Sequence, residues 1–225
     1  MIVNPEMPTT DAFGRGTYDA ATLANGDEQR KPLLVGLTGG IGCGKTTVAH
    51  MFQQLDVPCF VADEQAAKYF DDAFFLSQLR VLFGNKALSP NGKADKRAIA
   101  NIVFNDHEKL LALNALVHPR VMKEFRDWAL QQTKPYVIIE SAILYEYGLD
   151  AEIDKVICVY LEQEERLRRL ELRDHVAREA LLDRMRNQLP AEEKMDRADY
   201  VILNYEGSLL RRQVKHINQL LTQQA

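Results

Sequence analysis

Residues 36–47 read GLTGGIGCGKTT, and this stretch decides the fold. Gly39, Gly44, Lys45 and Thr46 satisfy the spacing G-x-x-x-x-G-K-[ST]. A loop of this kind turns its backbone N–H groups inward around phosphate oxygens, through conformations that side chains obstruct. Lys45 is placed to reach the β- and γ-phosphates of a nucleotide, and the Thr46 hydroxyl to ligate Mg²⁺. The candidate cradle runs from Gly40 and Ile41 through Gly42, Cys43, Gly44 and Lys45 to Thr46 and Thr47. Cys43 holds a variable position of the motif and has no partner cysteine in sequence reach. It reads as a small residue tolerated in a tight loop, although a helix N-terminus can activate a thiol.

The flanks supply the context the motif needs. LLVGLT (33–38) before it is a short apolar run suited to a strand buried on both faces. KTTVAHMFQQL (45–55) after it places Val48, Met51, Phe52 and Leu55 on one helical stripe. Further strand candidates are Cys59–Ala62, YVIIE (136–140), KVICVYL (155–161) and YVIL (200–203). Strands alternating with helices predict an α/β fold, a five-stranded parallel sheet with helices on both faces. Residues from about 65 to 132 are mostly helical, broken by the loop NKALSPNGKAD (85–95), and predict a helical insertion beside the sheet. Arginine-rich helices over about 162–197 predict a lid.

The chain has 225 residues, 46% hydrophobic and 27% charged, enough for one domain with a full core. Residues 1–31 are polar and lack both the apolar region of a secretory signal and the composition of a transit sequence. They predict a flexible extension, with 32–225 as the folded domain. The formal net charge of −4 argues against a general nucleic-acid binder. No run approaches a membrane span of about 20 apolar residues. The three cysteines, Cys43, Cys59 and Cys158, form no metal-binding or disulfide pattern and fit reduced thiols in a cytoplasmic protein.

The loop holds a phosphate without saying what receives it. A guanine-reading N-K-x-D element is missing, since Asn85-Lys86 continues as Ala-Leu, and there is no LSGGQ-like segment. A small kinase remains favoured. Asp63, at the end of the second strand candidate, can accept the proton of an attacking hydroxyl. The competing reading is a plain helix N-cap before EQAAKYF. Arg166, Arg169 and Arg173 fall at i, i+3 and i+7 on one helix face, which could close over a triphosphate. Glu162, Glu164, Glu165 and Glu171 could equally pair with them as solvated surface. Glu140 ends an apolar strand and could hold a metal-bound water or be a structural acid. His118-Pro119 follows the helical pattern LLALNALV, where a histidine is more often packed than a ligand.

Taken in order, several motifs resemble the dephospho-coenzyme A kinases. They are GLTGGIGCGKTTVA, Ala62-Asp63, VFND (103–106), LNALVHPRV (113–121), ESAILYEYGL (140–149), RLRRLELRD (166–174), RMRNQ (184–188) and ADYVILN (198–204). The resemblance spans Leu33 to about Leu220. It implies a P-loop kinase fold and Mg·ATP-dependent phosphorylation of the ribose 3′-hydroxyl of dephospho-CoA, the last step of coenzyme A synthesis. It implies Asp63 as general base, Arg169 and Arg173 as phosphate contacts in the lid, His118 in the CoA-binding region and Asn204 near the adenine. Glu140 stands in the acidic position of the family's Asp-x-Pro-Leu-Leu, here Glu140-Ser141-Ala142-Ile143-Leu144 without the proline. Val61 and Leu203 stand where many members have Asp. A kinase of another small hydroxyl compound, or a nucleotide-dependent switch in which Asp63 merely caps a helix, are the alternatives. The sequence does not fix the oligomeric state; a monomer is the expectation.

Overall fold

The computed structural model describes residues 31–104, 106–205 and 207–225. The extension expected over 1–31 thus lies outside the described residues except for Lys31, as does Asn105 of the VFND stretch. Residues 31–225 form one compact unit.

The chain begins with β1 (Leu33–Thr38), the phosphate loop and α1 (Lys45–Gln53), then β2 (Cys59–Val61) and α2 (Ala62–Tyr69). Three helices follow: α3 (Ala73–Phe83), α4 (Lys96–Phe104) and α5 (His107–Ala129). Then come β3 (Tyr136–Glu140), β4 (Lys155–Tyr160), α6 (Gln163–Asp174), α7 (Arg178–Arg186), α8 (Ala191–Arg197), β5 (Tyr200–Leu203) and α9 (Gly207–Gln224). The strands lie in the order β2-β3-β1-β4-β5, and every pairing is parallel.

Register fixes which residues meet at the carboxyl edge. Leu37 of β1 and Val61 of β2 both stand opposite Glu140, Thr38 is opposite Cys158, and Tyr160 is opposite Leu203. The phosphate loop, Asp63, Glu140 and Asn204 therefore leave the sheet on one side. The chain goes from β1 out to β2 and returns to fill β3 between them before crossing to β4. That change of direction is where open α/β sheets bind ligands.

Period-two alternation divides the core between the two faces. In β3, Val137 and Ile139 face a layer containing Phe75, Leu79 and Phe125 of α3 and α5, whereas Tyr136 and Ile138 face α1 and α9. All five β3 residues are buried, as expected of a parallel strand covered on both sides.

Local details depart from the sequence reading in four places. Ala62 opens α2 rather than ending β2, which puts Asp63 in the first helical turn. On α1 the buried residues are Val48, Ala49 and Phe52, while Met51 and Leu55 pack at the edge of that core. The helix containing His118-Pro119 does not stop there: α5 runs through Pro119 to Ala129. A proline removes one helical hydrogen bond, but burial of Val117, Val121, Met122 and Phe125 on both sides of it holds the helix together. Finally, Arg166, Arg169 and Arg173 share a helix but not an environment: Arg166 is buried, Arg169 half-buried and Arg173 exposed.

Candidate active site

The phosphate loop is built by close approach. Gly44 caps α1 with φ 93°, a left-handed conformation that favours glycine. A Cβ there would also collide with the Asn204 amide, whose Nδ2 donates to the Cys43 carbonyl at 2.7 Å. Asn204 is 7% exposed and so clamps the loop against β5. From the lid side, Gln188 Oε1 accepts the Ile41 N–H at 2.9 Å. Lys45 Nζ bridges the carbonyls of Gly39 and Gly40 at 3.0 and 3.3 Å, which draws its charge across the mouth of the loop. The Cys43 side chain is buried in the core between sheet and α1, so only its backbone belongs to the cradle. The α1 N-terminus carries no acidic residue in its first turn, leaving its positive dipole end for an anion.

Two carboxylates stand beside this loop. Glu140 is 7% exposed; its Oε1 accepts from the Thr46 hydroxyl at 3.3 Å, and its Oε2 is buried without a partner. Burial pushes this carboxyl above its ordinary range, Lys45 opposes that shift, and the neighbouring Asp63 adds to it. An unpartnered buried oxygen is costly, and here it sits beside a hydroxyl and a cation in a place suited to a hard, oxygen-seeking ion. Asp63 is exposed to the cleft, and no hydrogen bond or ion pair engages its carboxylate among the described residues. The capping alternative does not describe this helix end: Val61 is the N-cap residue of α2, with no side-chain cap.

These groups line one cleft of about 1180 Å³. Its near end is made by Ile41, Gly42 and Gly44 to Thr47 of the loop together with Asn204; Asp63 and Glu140 line it as well, Glu140 in contact with Thr46. Arg169 and Arg173 of α6 form one side. Arg169 Nε is held by Glu165 at 2.9 Å and its Nη2 reaches the Asn204 carbonyl at 3.4 Å. Arg173 pairs with Asp174 at 2.6 Å. The arginine–glutamate pairing read as the plain alternative is therefore present, on residues that also face the cleft. Exposed pairs of this kind are weak and readily exchanged for another anion.

The far end is made by α4, α5 and the loop after β3. Val103 and Leu110 present apolar surface, and Asn114 and Tyr147 add polar groups. His118 does not line the cleft. It packs on the Tyr147 ring with centroids 4.4 Å apart, and burial lowers its pKa to about 4, so it is neutral at pH 7. The loop carrying Tyr147 is tethered by Lys194, which is fully buried, contacts Glu146 Oε1 at 2.5 Å and donates to the Ala142 carbonyl at 2.6 Å. Burial lowers the Lys194 pKa and Glu146 opposes the shift. Tyr147, Asn114 and Gln188 lie inside motifs legible in the chain and Lys194 lies between two of them, yet no spacing rule marks any of the four. Their roles come from contacts between elements far apart in sequence.

Comparison with known proteins bears on the family and the fold. A model of the family described as dephospho-CoA kinase matches residues 33–209. A dephospho-CoA kinase of Bacillus licheniformis is 40% identical over 181 residues, covering 79% of this chain and 90% of that protein. The crystal structure of a Thermus thermophilus protein superposes with a TM-score of 0.77 at 34% identity, over 86% of this chain and all of the other. A dephospho-CoA kinase from Campylobacter jejuni, 24% identical, shares the P-loop kinase fold with a TM-score of 0.57 over 86% of this chain and 99% of its own. The chain belongs to the dephospho-CoA kinase family.

Proposed function

We propose that this kinase transfers the γ-phosphoryl group of ATP to the ribose 3′-hydroxyl of dephospho-CoA, giving coenzyme A and ADP. The observation that carries the reading is the placement of an unpaired carboxylate, Asp63, on the same cleft as the phosphate loop, where side chains of mixed polarity from α4, α5 and the loop after β3 leave room for an acceptor. Hydrolysis needs only the loop and a water; transfer needs a base facing an acceptor and room for that acceptor.

In this reading the loop amides and Lys45 hold the donor phosphates, and Asn204 keeps the loop in shape next to the nucleoside. Asp63 takes the hydroxyl proton as the acceptor attacks in line. Arg169 and Arg173 release Glu165 and Asp174 to neutralise charge spread over the moving phosphoryl oxygens. Thr46 and Glu140 would hold Mg²⁺; the unpartnered Glu140 oxygen and the Thr46 hydroxyl are the hard donors this ion prefers, with phosphates completing its shell. The ion would supply charge neutralisation for the transferred phosphoryl group. Tyr147, oriented by His118, and Asn114 would face the acceptor, so His118 acts on the substrate through Tyr147. The helices over 65–132 serve as the acceptor-binding part and those over 162–197 as the lid.

The working form in this reading is a monomer. Among the described residues no helix is long and apolar enough to cross a membrane. The three free thiols fit a cytoplasmic enzyme. The test is ADP release from ATP with dephospho-CoA, nucleosides, sugar acids or no acceptor. Release should rise with dephospho-CoA at least a hundredfold above the no-acceptor rate; release indifferent to it would contradict the reading.

A further inference from the structure

The helix α6 carries one arginine that this mechanism leaves unused. Arg166 is 5% exposed, and its Nε is buried without a partner. Among the described residues no carboxylate pairs with it and no hydrogen bond engages its guanidinium, in contrast to Arg169 and Arg173 on the same helix. A guanidinium stays charged at any ordinary pH and carries five N–H donors in a rigid fork. Burying it without a counter-charge is among the more expensive arrangements a fold can contain.

Its location says which anion would answer that charge. The guanidinium lies so close against Gly40 that a Cβ on this residue would collide with Nη1, and a Cβ on Gly42 would meet the Arg166 carbonyl and Leu170 of the same helix. Gly40 is also where Lys45 rests its ammonium on a carbonyl. Arg166 and Lys45 thus flank the same loop residue, one from the lid helix and one from the cleft. Among the described residues no neighbour behind the loop supplies an anion. The Cys158 thiol, which feels Arg166, Lys45 and Lys194, is pushed up to about 12 by burial and stays neutral. Glu146 is already engaged by Lys194.

We propose that Arg166 is a further donor-binding residue, whose missing counter-charge is the terminal phosphates of the nucleotide. Binding of a triphosphate and seating of α6 on the loop then reinforce one another. The inference rests on the reading of the loop as an ATP cradle and not on the identity of the acceptor.

The experiment compares binding of a β,γ-imido triphosphate analogue and of AMP, by calorimetry, to the full chain and to Arg166→Met, with thermal melting of the unliganded proteins alongside. The deciding quantity is the ratio of triphosphate to AMP affinity. A ratio at least fivefold below that of the unaltered protein, with an unliganded Tm unchanged or raised, is the expected result, because removing an uncompensated buried cation relieves the free protein. A ratio within fivefold, or a lowered Tm with equal loss for both nucleotides, would make Arg166 a packing residue and overturn the proposal. Arg166→Gln, neutral but able to hydrogen-bond, is measured the same way if the methionine variant does not fold. Failure of both to fold would likewise overturn it. If the unaltered protein prefers the triphosphate yet phosphorylates no dephospho-CoA, the acceptor reading falls and the Arg166 result stands.

Discussion

The two ends of the cleft are made in different ways. At the donor end the recognising groups are mostly backbone, and short bonds lock them from three directions: Asn204 on the Cys43 carbonyl, Gln188 on the Ile41 N–H, and Lys45 on the Gly39 and Gly40 carbonyls. At the acceptor end the surface is side chains from α4, α5 and the loop after β3, held by packing such as His118 on Tyr147 and by the buried Lys194–Glu146 pair. Phosphates are alike in every nucleotide, so a fixed backbone cradle serves many enzymes. An acceptor is particular, so its chamber is written in side chains that only this fold assembles. Changes at the donor end or at the carboxylates beside the loop should therefore reduce turnover, and changes at the acceptor end should raise the KM for dephospho-CoA alone.

Asp63→Asn gives the largest expected effect. Turnover should fall by roughly 10²–10⁴, the usual contribution of a positioned base, while calorimetric binding of ATP is unchanged. Full turnover in this variant would leave the proton acceptor elsewhere. Lys45→Ala comes next, with a loss of about 3 kcal/mol of transition-state stabilisation, comparable to removing one electrostatic donor. The loss should appear with any acceptor; one specific to dephospho-CoA would erase the distinction between the ends.

His118 tests the acceptor end through stability. Its folded pKa of about 4 lies below the ordinary histidine value of 6.5, so the unfolded chain binds more protons between those two pH values. Stability from this group is present above pH 6.5 and is lost as pH falls toward 4. Allowing for partial exposure, the loss is about 2 kcal/mol. His118→Gln should flatten the acid limb of a stability profile; an unchanged slope would place the effect in another group. Tyr147→Ala should raise the KM for dephospho-CoA about tenfold, roughly 1.4 kcal/mol of binding, with the KM for ATP within twofold. A matching rise for ATP would show that the two ends are one site energetically.

The fold was largely legible because its signals are periodic and local. The phosphate loop, five apolar runs and the helical stripes mark the sheet and its edge, since parallel strands buried on both faces leave nearly continuous apolar runs. The place of Asp63 on the cleft was legible for the same reason: topology sets the first turn of the helix after β2 beside the phosphate loop. Two kinds of residue were not readable. Asn204 was placed near the nucleoside by the resemblance alone, and no spacing showed that its amide donates to the Cys43 carbonyl, a contact across 161 positions. Arg166 looked equivalent to Arg169 and Arg173, because helical spacing fixes a face and not a depth; the difference arises from how far α6 is pressed onto Gly40. Pro119 shows the limit of punctuation signals, since the packing of α5 on both sides outweighs one lost hydrogen bond.

The central claim is phosphoryl transfer to one hydroxyl of one acceptor. Phosphorus NMR of the products formed from ATP and dephospho-CoA tests it directly. The account predicts one new ribose 3′-phosphomonoester for every ADP, and no inorganic phosphate. Inorganic phosphate accumulating with dephospho-CoA unchanged, or a phosphoryl group on another hydroxyl, would contradict it.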